Sequence, residues 1–197
     1  MSCPRARSEW GDVGVIVLAG GRSTRMGADK AQVRVDGRRL VDKLVNAVPD
    51  VADIVVVTPQ PIEVPRARMV SEDPPYGGPV AGIAAGEAAL AEACTLVAVL
   101  AVDAPASPRH LPGLVSAVRN APASDCAVVV DGSFLNPLCA VWRRDALQAA
   151  LVSVGTRDVA AKALVRAARN RVEIAGNGWE RDFDTPDELS TLGNVEL

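Results

Sequence analysis

The strongest fold signal in the chain runs from Val13 to Lys30 and reads VGVIVLAGGRSTRMGADK. Its first part is an unbroken apolar run, which predicts a strand buried on both faces of a sheet. The rest is a glycine-rich turn that carries arginines and a lysine. Glycine lets backbone N–H groups approach an anion closely, and the cationic side chains add charge. The stretch therefore predicts a strand that opens into a phosphate-binding loop, with neither the Walker nor the dinucleotide spacing.

Apolar runs alternate with helical patterns along the rest of the chain. The predicted strands are 13–19, 53–58, 95–102, 125–130, 137–142 and 171–175, and the predicted helices are 40–48, 80–93, 108–120, 144–152 and 157–169. This order predicts an α/β fold of three layers, a mostly parallel sheet with helices on both faces. Asp131-Gly132-Ser133 between two β-like runs predicts a hairpin, so a short part of the sheet should be antiparallel.

Composition narrows the class of protein. The chain has 197 residues, of which 49% are apolar, and this predicts a single domain with a sizeable core over 11–197. The N-terminus is polar and mixed, which predicts a flexible tail over 1–10. The net charge of -3 argues against a general nucleic-acid binder. No apolar run approaches the length of a membrane span, and the N-terminus lacks the apolar middle region of a signal peptide. The cysteines lie far apart, which favours reduced thiols over a metal site, and we expect a cytoplasmic protein.

A carboxylate follows one of the predicted buried strands. Ligands of open α/β sheets bind beyond the carboxyl ends of the strands. Asp103 comes directly after strand 95–102, at the same predicted sheet edge as the loop 20–30. Because Mg²⁺ prefers one or two carboxylates together with phosphate oxygens, Asp103 is a candidate metal ligand. The alternative is an aspartate that caps its own loop.

A second glycine-rich loop runs from Ser71 to Gly82 and opens the predicted helix 80–93. Backbone N–H groups at such a helix start can face the polar atoms of a ligand. Asp73 in this loop can accept hydrogen bonds from the ring N–H and the amino group of guanine. The alternative is a plain turn before a helix, because Pro, Gly and Asp are ordinary turn residues.

A pair of aspartates precedes a predicted helix start late in the chain. Thr185 to Glu188 form a capping-box pattern, which accounts for those residues without any function. It does not account for Asp182 and Asp184. Alternation in an extended segment places both carboxylates on one face, where they could join a metal site.

Other polar residues have ordinary alternatives. Asn136 can present its amide at a strand start, or it can belong to a turn. Arg157, at an expected helix start, can contact a ligand, or it can be a solvated surface charge. His110 is the one histidine, and we expect an exposed helix residue rather than a general base. No Ser–His–Asp arrangement is evident, so covalent catalysis is not indicated.

The pattern LAGGxSxRMGxDK at 18–30 resembles the signature of nucleotidyltransferases with a Rossmann-like fold. Among them, the chain is most similar to the molybdenum cofactor guanylyltransferases. The loop 72–82 resembles the guanine-side loop of that family, and Val102-Asp103-Ala104-Pro105 resembles its metal-binding segment. Residues 155–159 and 185–189 resemble its two late motifs. The motif of the first loop is highly specific for the superfamily. The other motifs are individually weak, and it is their order along the chain that supports the resemblance.

The resemblance also implies a role for each matching residue. The implied nucleotide contacts are Leu18, Ala19, Gly20, Gly21, Lys30, Asp73, Gly78 and Asp103, of which Asp73 reads guanine. The implied catalytic residues are Arg25 and Lys30, which offset charge on the leaving pyrophosphate, and Asp103. Asp103 and Asp182 are the implied ligands of Mg²⁺. The implied contacts of the second substrate are Asn136, Arg157, Asp182 and Asp184.

The expected reaction is attack by the molybdopterin phosphate on the α-phosphorus of GTP, with release of pyrophosphate. A phosphate monoester is already a nucleophile near neutral pH, so catalysis rests on alignment and charge neutralisation. The expected partners are GTP and molybdopterin, with transient contact to proteins that deliver molybdopterin or mature molybdoenzymes. No nucleic-acid or membrane partner is expected.

The chain departs from the guanylyltransferase pattern near the second substrate. Asp182 and Asp184 stand where asparagines are usual, and Asn136 stands before a proline where histidine is frequent. The Asp-x-Asp form is more typical of cytidylyltransferase relatives, which however usually begin LAAG rather than LAGG. The alternatives are a molybdopterin cytidylyltransferase or another Mg²⁺-dependent nucleotidyltransferase acting on a sugar phosphate or phosphorylated metabolite. A non-catalytic nucleotide-binding module and a metal-dependent glycosyltransferase are alternatives from other classes.

Overall fold

The computed structural model describes residues 9–20 and 29–197. Its strands are β1 (Val13–Leu18), β2 (Arg34–Val35), β3 (Arg38–Arg39), β4 (Asp53–Val57), β5 (Arg68–Val70), β6 (Leu96–Ala101), β7 (Cys126–Asp131), β8 (Phe134–Arg143), β9 (Arg171–Ala175) and β10 (Val195–Glu196). Its helices are α1 (Leu40–Ala47), α2 (Pro79–Ala89), α3 (Leu111–Asn120), α4 (Arg144–Val154), α5 (Ala161–Ala167) and α6 (Pro186–Ser190).

The main sheet has the strand order β5-β4-β1-β6-β8-β7-β9. β1 pairs in parallel with β4 and β6, β4 with β5, and β7 with β9. β8 runs antiparallel to both β6 and β7, and its pairing with β7 across Gly132 and Ser133 is the predicted hairpin. The short strands β10, β2 and β3 form a small antiparallel sheet. The predicted mostly parallel sheet with a short antiparallel part is confirmed.

Alternate residues of β1 pack into two cores, one on each face of the sheet. Val13, Val15 and Val17 pack with residues of α1 and α3. Ile16 and Leu18 pack with residues of α2, α4 and α5. Because side chains of a strand alternate between faces, a strand covered on both sides must be apolar throughout. This packing explains the unbroken apolar run and confirms the predicted helices on both faces.

Some predicted boundaries are wrong. The helix expected at 157–169 begins only at Ala161, because Gly155 and Asp158 adopt φ values of 75° and 58°, which a helix cannot contain. The helix expected at 108–120 starts as a 3₁₀ turn, Ser107–His110. β8 begins at Phe134 instead of residue 137. β2, β3, β5 and β10 were not predicted, because strands of two or three residues give no measurable periodicity.

The helix start at Thr185 is confirmed as a capping box. The Glu188 amide donates to Thr185 Oγ1 at 3.2 Å, and the Glu188 carboxylate accepts from the Thr185 amide at 3.1 Å. The same carboxylate accepts from the amide of Asp184 at 2.7 Å. The cap therefore also fixes the backbone of one of the two candidate aspartates.

Other sequence expectations concern the cysteines, the N-terminus and membranes. Cys94, Cys126 and Cys139 are free and buried. Trp10 packs against the core, while residues 1–8 of the predicted tail and Cys3 lie outside the described residues. In the described part of the chain, no helix is long and apolar enough to cross a membrane. The single-domain boundary remains a prediction.

Candidate active site

A cleft of about 280 Å³ opens at the carboxyl ends of β1, β4 and β6. These strands are parallel and adjacent, so the residues that follow them meet at one edge of the sheet. The residues that line the cleft are Leu18, Ala19, Gly20, Lys30, Val57, Thr58, Pro59, Ser71, Glu72, Pro75, Tyr76, Gly78, Pro79, Ala101, Val102, Asp103 and Leu138. Most of the predicted nucleotide contacts therefore share one cavity.

Lys30 stands between two carboxylates in this cleft. Its Nζ lies 3.1 Å from Oδ2 of Asp103 and 2.5 Å from Oδ1 of Asp184. Burial acts to lower the pKa of Lys30, but the hydrogen bonds and charges of Asp184 and Asp103 outweigh it and raise the pKa above its ordinary value. Lys30 is therefore a cation held in place at the end of the predicted phosphate-binding loop.

The pKa of Asp103 is raised above its ordinary value. Burial is the main cause, and the charges of Asp182 and Asp184 act in the same direction, while Lys30 opposes them. Among the described residues, Lys30 contacts two of these carboxylates, and a divalent cation would offset further negative charge. Oxygen ligands of this kind suit Mg²⁺, which takes its remaining ligands from phosphate and water. Among the described residues, no group of three or more His, Cys, Asp or Glu forms a preassembled metal site.

The segment that carries both late aspartates is attached next to Asp103. The amide of Phe183 donates to the carbonyl of Asp103 at 3.0 Å. Phe183 is buried in the core, whereas Asp182 is exposed and Asp184 is half-buried. This bond places the backbone of the segment beside the end of β6, and the Asp184 side chain reaches Lys30. That both carboxylates lie on one face stays a prediction.

Gly20 lies in the first glycine-rich loop, at a position with no room for a side chain. A Cβ at Gly20 would lie 2.9 Å from Cδ of Pro59 in the loop after β4. Ala19, just before it, donates its amide to the Val57 carbonyl at 2.9 Å, so β1 and β4 stay paired up to the cleft. Gly21 and Arg25, also predicted to act here, lie outside the described residues.

The side chain of Glu72 stabilises the second glycine-rich loop through a hydrogen bond within that loop. Its Oε2 accepts from the amide of Gly77 at 2.7 Å. Gly78 adopts φ 93°, a conformation that favours glycine, and lines the cleft just before α2 begins. Asp73 is exposed and is not among the cleft-lining residues, whereas its neighbour Glu72 is. The role of Asp73 in reading guanine stays a prediction.

Arg157 lies in a loop that packs against the second glycine-rich loop. The amide of Asp158 donates to the carbonyl of Gly77 at 2.7 Å. The exposed Arg157 side chain passes close to Gly77, where its Cγ is 4.0 Å from the position a Cβ would take. The structure therefore brings Arg157 next to the second glycine-rich loop, on a loop rather than on a helix, and Arg157 is not among the cleft-lining residues.

Asn136 is held at an irregularity in β8. The pairing of β7 with β8 shifts between Val128, opposite Ala140, and Val129, opposite Asn136. The Asn136 side chain donates to the carbonyl of Glu180 at 3.1 Å and accepts from the amide of Leu138 at 3.2 Å. A bulge of this kind redirects side chains, and Leu138 enters the cleft.

The expectation of an exposed His110 is wrong. The imidazole is buried, and its Nε2 lies 2.9 Å from Oε2 of the buried Glu180. Burial acts to raise the pKa of Glu180, but backbone N–H groups and His110 outweigh it and hold the pKa below its ordinary value. The pairing joins residues far apart in the sequence, so no local pattern could reveal it.

Sequence reasoning also missed several cleft residues: Thr58, Pro59, Glu72, Tyr76 and Leu138. The first two follow β4, and the rule that ligands bind beyond strand ends would have selected them. Glu72 and Tyr76 flank the predicted Asp73 in a loop already singled out. Leu138 enters through the bulge in β8, for which the sequence gives no signal.

Comparison with known proteins finds similar sequences. A family model described as MobA-like NTP transferase domain matches residues 15–172. A probable molybdenum cofactor guanylyltransferase of Opitutus terrae is 37% identical over 140 residues, which cover 68% of this chain and 68% of that protein.

Solved structures agree in fold. Molybdopterin-guanine dinucleotide biosynthesis protein A from Archaeoglobus fulgidus has a TM-score of 0.66 and 19% identity, covering 90% of this chain and 95% of that one. The 2-C-methyl-D-erythritol 4-phosphate cytidylyltransferase from Thermus thermophilus has a TM-score of 0.65 and 22% identity, covering 91% and 96%. These likenesses confirm the predicted Rossmann-like nucleotidyltransferase fold.

Proposed function

Because the chain belongs to the family of MobA-like NTP transferase domains, we propose that it transfers GMP from GTP to the phosphate of molybdopterin. The products are molybdopterin guanine dinucleotide and pyrophosphate. The guanylyltransferase names of its relatives support this substrate pair. Contact with proteins that deliver molybdopterin, and location in the cytoplasm, stay predictions.

One observation carries the proposal. Lys30 lies between Asp103 and Asp184 in a cleft that is also lined by residues 18–20 at the end of β1. A fixed cation beside carboxylates that can hold a divalent cation is what a polyphosphate leaving group requires. A non-catalytic nucleotide-binding module would be expected to lack Lys30 or Asp103, and both are present in this chain.

In the proposed reaction, an oxygen of the molybdopterin phosphate forms a bond to the α-phosphorus of GTP. The bond from that phosphorus to the pyrophosphate oxygen breaks, and the electron pair leaves with pyrophosphate. Lys30, together with Arg25, neutralises the leaving group. Asp103 and Asp182 would hold Mg²⁺, which would supply further neutralisation of the phosphate charge when bound. The backbone at Leu18, Ala19 and Gly20 aligns the nucleotide.

In this proposal, the second substrate contacts Asn136, Arg157, Asp182 and Asp184. Asn136 and the late segment with the two aspartates are joined through the carbonyl of Glu180. Arg157 lies apart from them, beside Gly77 of the second glycine-rich loop. The Asp182–Asp184 pair favours one second candidate, a cytidylyltransferase acting on molybdopterin, because this carboxylate pair is more typical of cytidine enzymes.

Thermal unfolding with Mg²⁺ and each nucleoside triphosphate tests the nucleotide assignment. At about 100 times its Kd, a ligand that binds the folded state alone adds about 2.7 kcal/mol of stability. We expect GTP to raise the Tm most at equal concentration. A larger shift with CTP favours the cytidylyltransferase, and no shift with any of the four contradicts nucleotide transfer.

Replacement of Asp73 by asparagine should reduce the preference for guanine. A lost pair of hydrogen bonds to a charged acceptor costs about 1.5–3 kcal/mol, so the Kd for GTP should rise about 10- to 100-fold. The Kd for ATP should stay unchanged, since adenine lacks those donors. Titration calorimetry with both nucleotides measures the ratio, and the exposed Asp50→Asn is the matched control. An unchanged ratio would move the reading of guanine away from Asp73, with the cleft-lining Glu72 as the next candidate.

A further inference from the structure

Glu180 is a buried carboxylate that the proposed reaction does not use. Its side chain is 7% exposed, and the imidazole of its partner His110 is 6% exposed. Besides His110, the amides of Gly178 and Asn177 lie 3.0 and 3.3 Å from the same Oε2 atom. The ring of Trp179 packs on His110 with centroids 5.3 Å apart. Burying a charge costs folding free energy unless the charge is well paired, so there should be a specific reason for this buried carboxylate.

The position of Glu180 in the chain suggests that reason. It lies in the segment 176–184, which connects β9 with α6 and carries Asp182 and Asp184. At one end, the amide of Gly176 donates to the carbonyl of Val130 at 2.7 Å. At the other, Phe183 is bound to Asp103. Glu180 lies between these two attachments, with its side chain and its carbonyl both bound.

The two bonds of Glu180 lead to different parts of the site. Its carboxylate is tied to His110, in the 3₁₀ turn that follows Asp103 in sequence. Its carbonyl accepts from the side chain of Asn136 on β8. One residue therefore ties the segment to β8 and to the turn beyond β6.

We infer that the His110–Glu180 pair positions the late aspartates, so that Glu180 is a positioning residue for the proposed metal site. This inference rests on the proposed function, because it assigns a task to Asp182 and Asp184 in binding Mg²⁺ with GTP. When the pair is broken, the segment can shift relative to Asp103 and Lys30 without unfolding of the sheet.

A purely structural role is the competing explanation, and the chain offers a matched pair for comparison. Glu87 on α2 lies 2.8 Å from Nε of Arg144 at the start of α4, with exposed fractions of 11% and 17%. Neither residue lines the cleft. Loss of either buried carboxylate should lower stability, but only the loss of Glu180 should alter the proposed metal site.

The test compares Glu180→Gln with Glu87→Gln in the full chain. The Kd for GTP is measured by calorimetry with and without Mg²⁺, and amide hydrogen exchange is followed at Phe183. We expect both variants to unfold at lower temperature. In Glu180→Gln alone, the factor by which Mg²⁺ tightens GTP binding should fall about tenfold, the size usual for residues that orient metal ligands. Exchange at Phe183 should also become faster in that variant alone.

Equal behaviour of the two variants in Mg²⁺ response and in Phe183 exchange would overturn the inference. If Glu180→Gln does not fold, His110→Gln breaks the pair from the other side and should give the same two changes. If the wild-type protein binds no GTP at all, the proposed function fails. In that case, faster exchange at Phe183 in Glu180→Gln alone still supports the positioning role, and unchanged exchange overturns it.

Discussion

Replacement of Asp103 by asparagine should remove most nucleotide transfer while the protein stays folded. The amide keeps the shape of the side chain but loses the charge that holds Mg²⁺. Metal ions supply several kcal/mol of transition-state stabilisation, so kcat/KM should fall by about 10³-fold or more. The measurement is pyrophosphate release at saturating Mg²⁺.

Unlike its activity, the thermal stability of the Asp103→Asn variant should not decrease. Burial raises the pKa of Asp103, and an acid with a raised folded pKa destabilises the protein at pH values above that pKa. Its stability increases as the pH falls through the raised pKa. At neutral pH, the Tm of nucleotide-free Asp103→Asn should therefore equal or exceed that of the wild type. Asp131→Asn, at the exposed hairpin, is the control that should change neither property. A rate within about tenfold of wild type in Asp103→Asn would contradict the metal role.

Replacement of Lys30 by methionine should be the second severe change. Methionine keeps much of the aliphatic chain but removes the cation that contacts Asp103 and Asp184. Loss of one preorganised group that stabilises transition-state charge lowers turnover by about 10²- to 10³-fold. Because the leaving pyrophosphate gains charge in the transition state, kcat should fall more than GTP affinity.

The control for this change is Lys162→Met, on an exposed position of α5. It removes the same charge from the chain but none from the cleft, so its turnover should match the wild type. A Lys30→Met enzyme with unchanged kcat and a raised KM would show that Lys30 contributes only uniform binding, contrary to the proposed role.

The sequence was most informative where chemistry is local. The apolar run of β1 predicts its strand, because both faces of that strand are covered. Asp103 follows the buried strand β6, and parallel pairing of β1 with β6 places it beside Lys30. The capping box at Thr185 follows from residue types at fixed spacing.

The features that could not be predicted from the sequence depend on contacts between distant parts of the chain. Lys30 and Asp184 meet only because the segment after β9 returns to the end of β6. His110 was expected on the surface, since nothing near it in sequence announces Glu180. Arg157 was expected on a helix, but its loop packs instead against the carbonyl of Gly77. For His110 and Arg157, tertiary packing overrides the local preference.

The most direct test of the central claim follows label from the α-phosphate of GTP. Purified protein is incubated with Mg²⁺, molybdopterin and GTP radiolabelled at that phosphate, and the products are separated. We predict label in a molybdopterin dinucleotide, pyrophosphate in equal amount, and neither product with Asp103→Asn. A parallel reaction contains CTP labelled at the same phosphate. Transfer from CTP and not from GTP, or no transfer to molybdopterin from either nucleotide, would contradict the account.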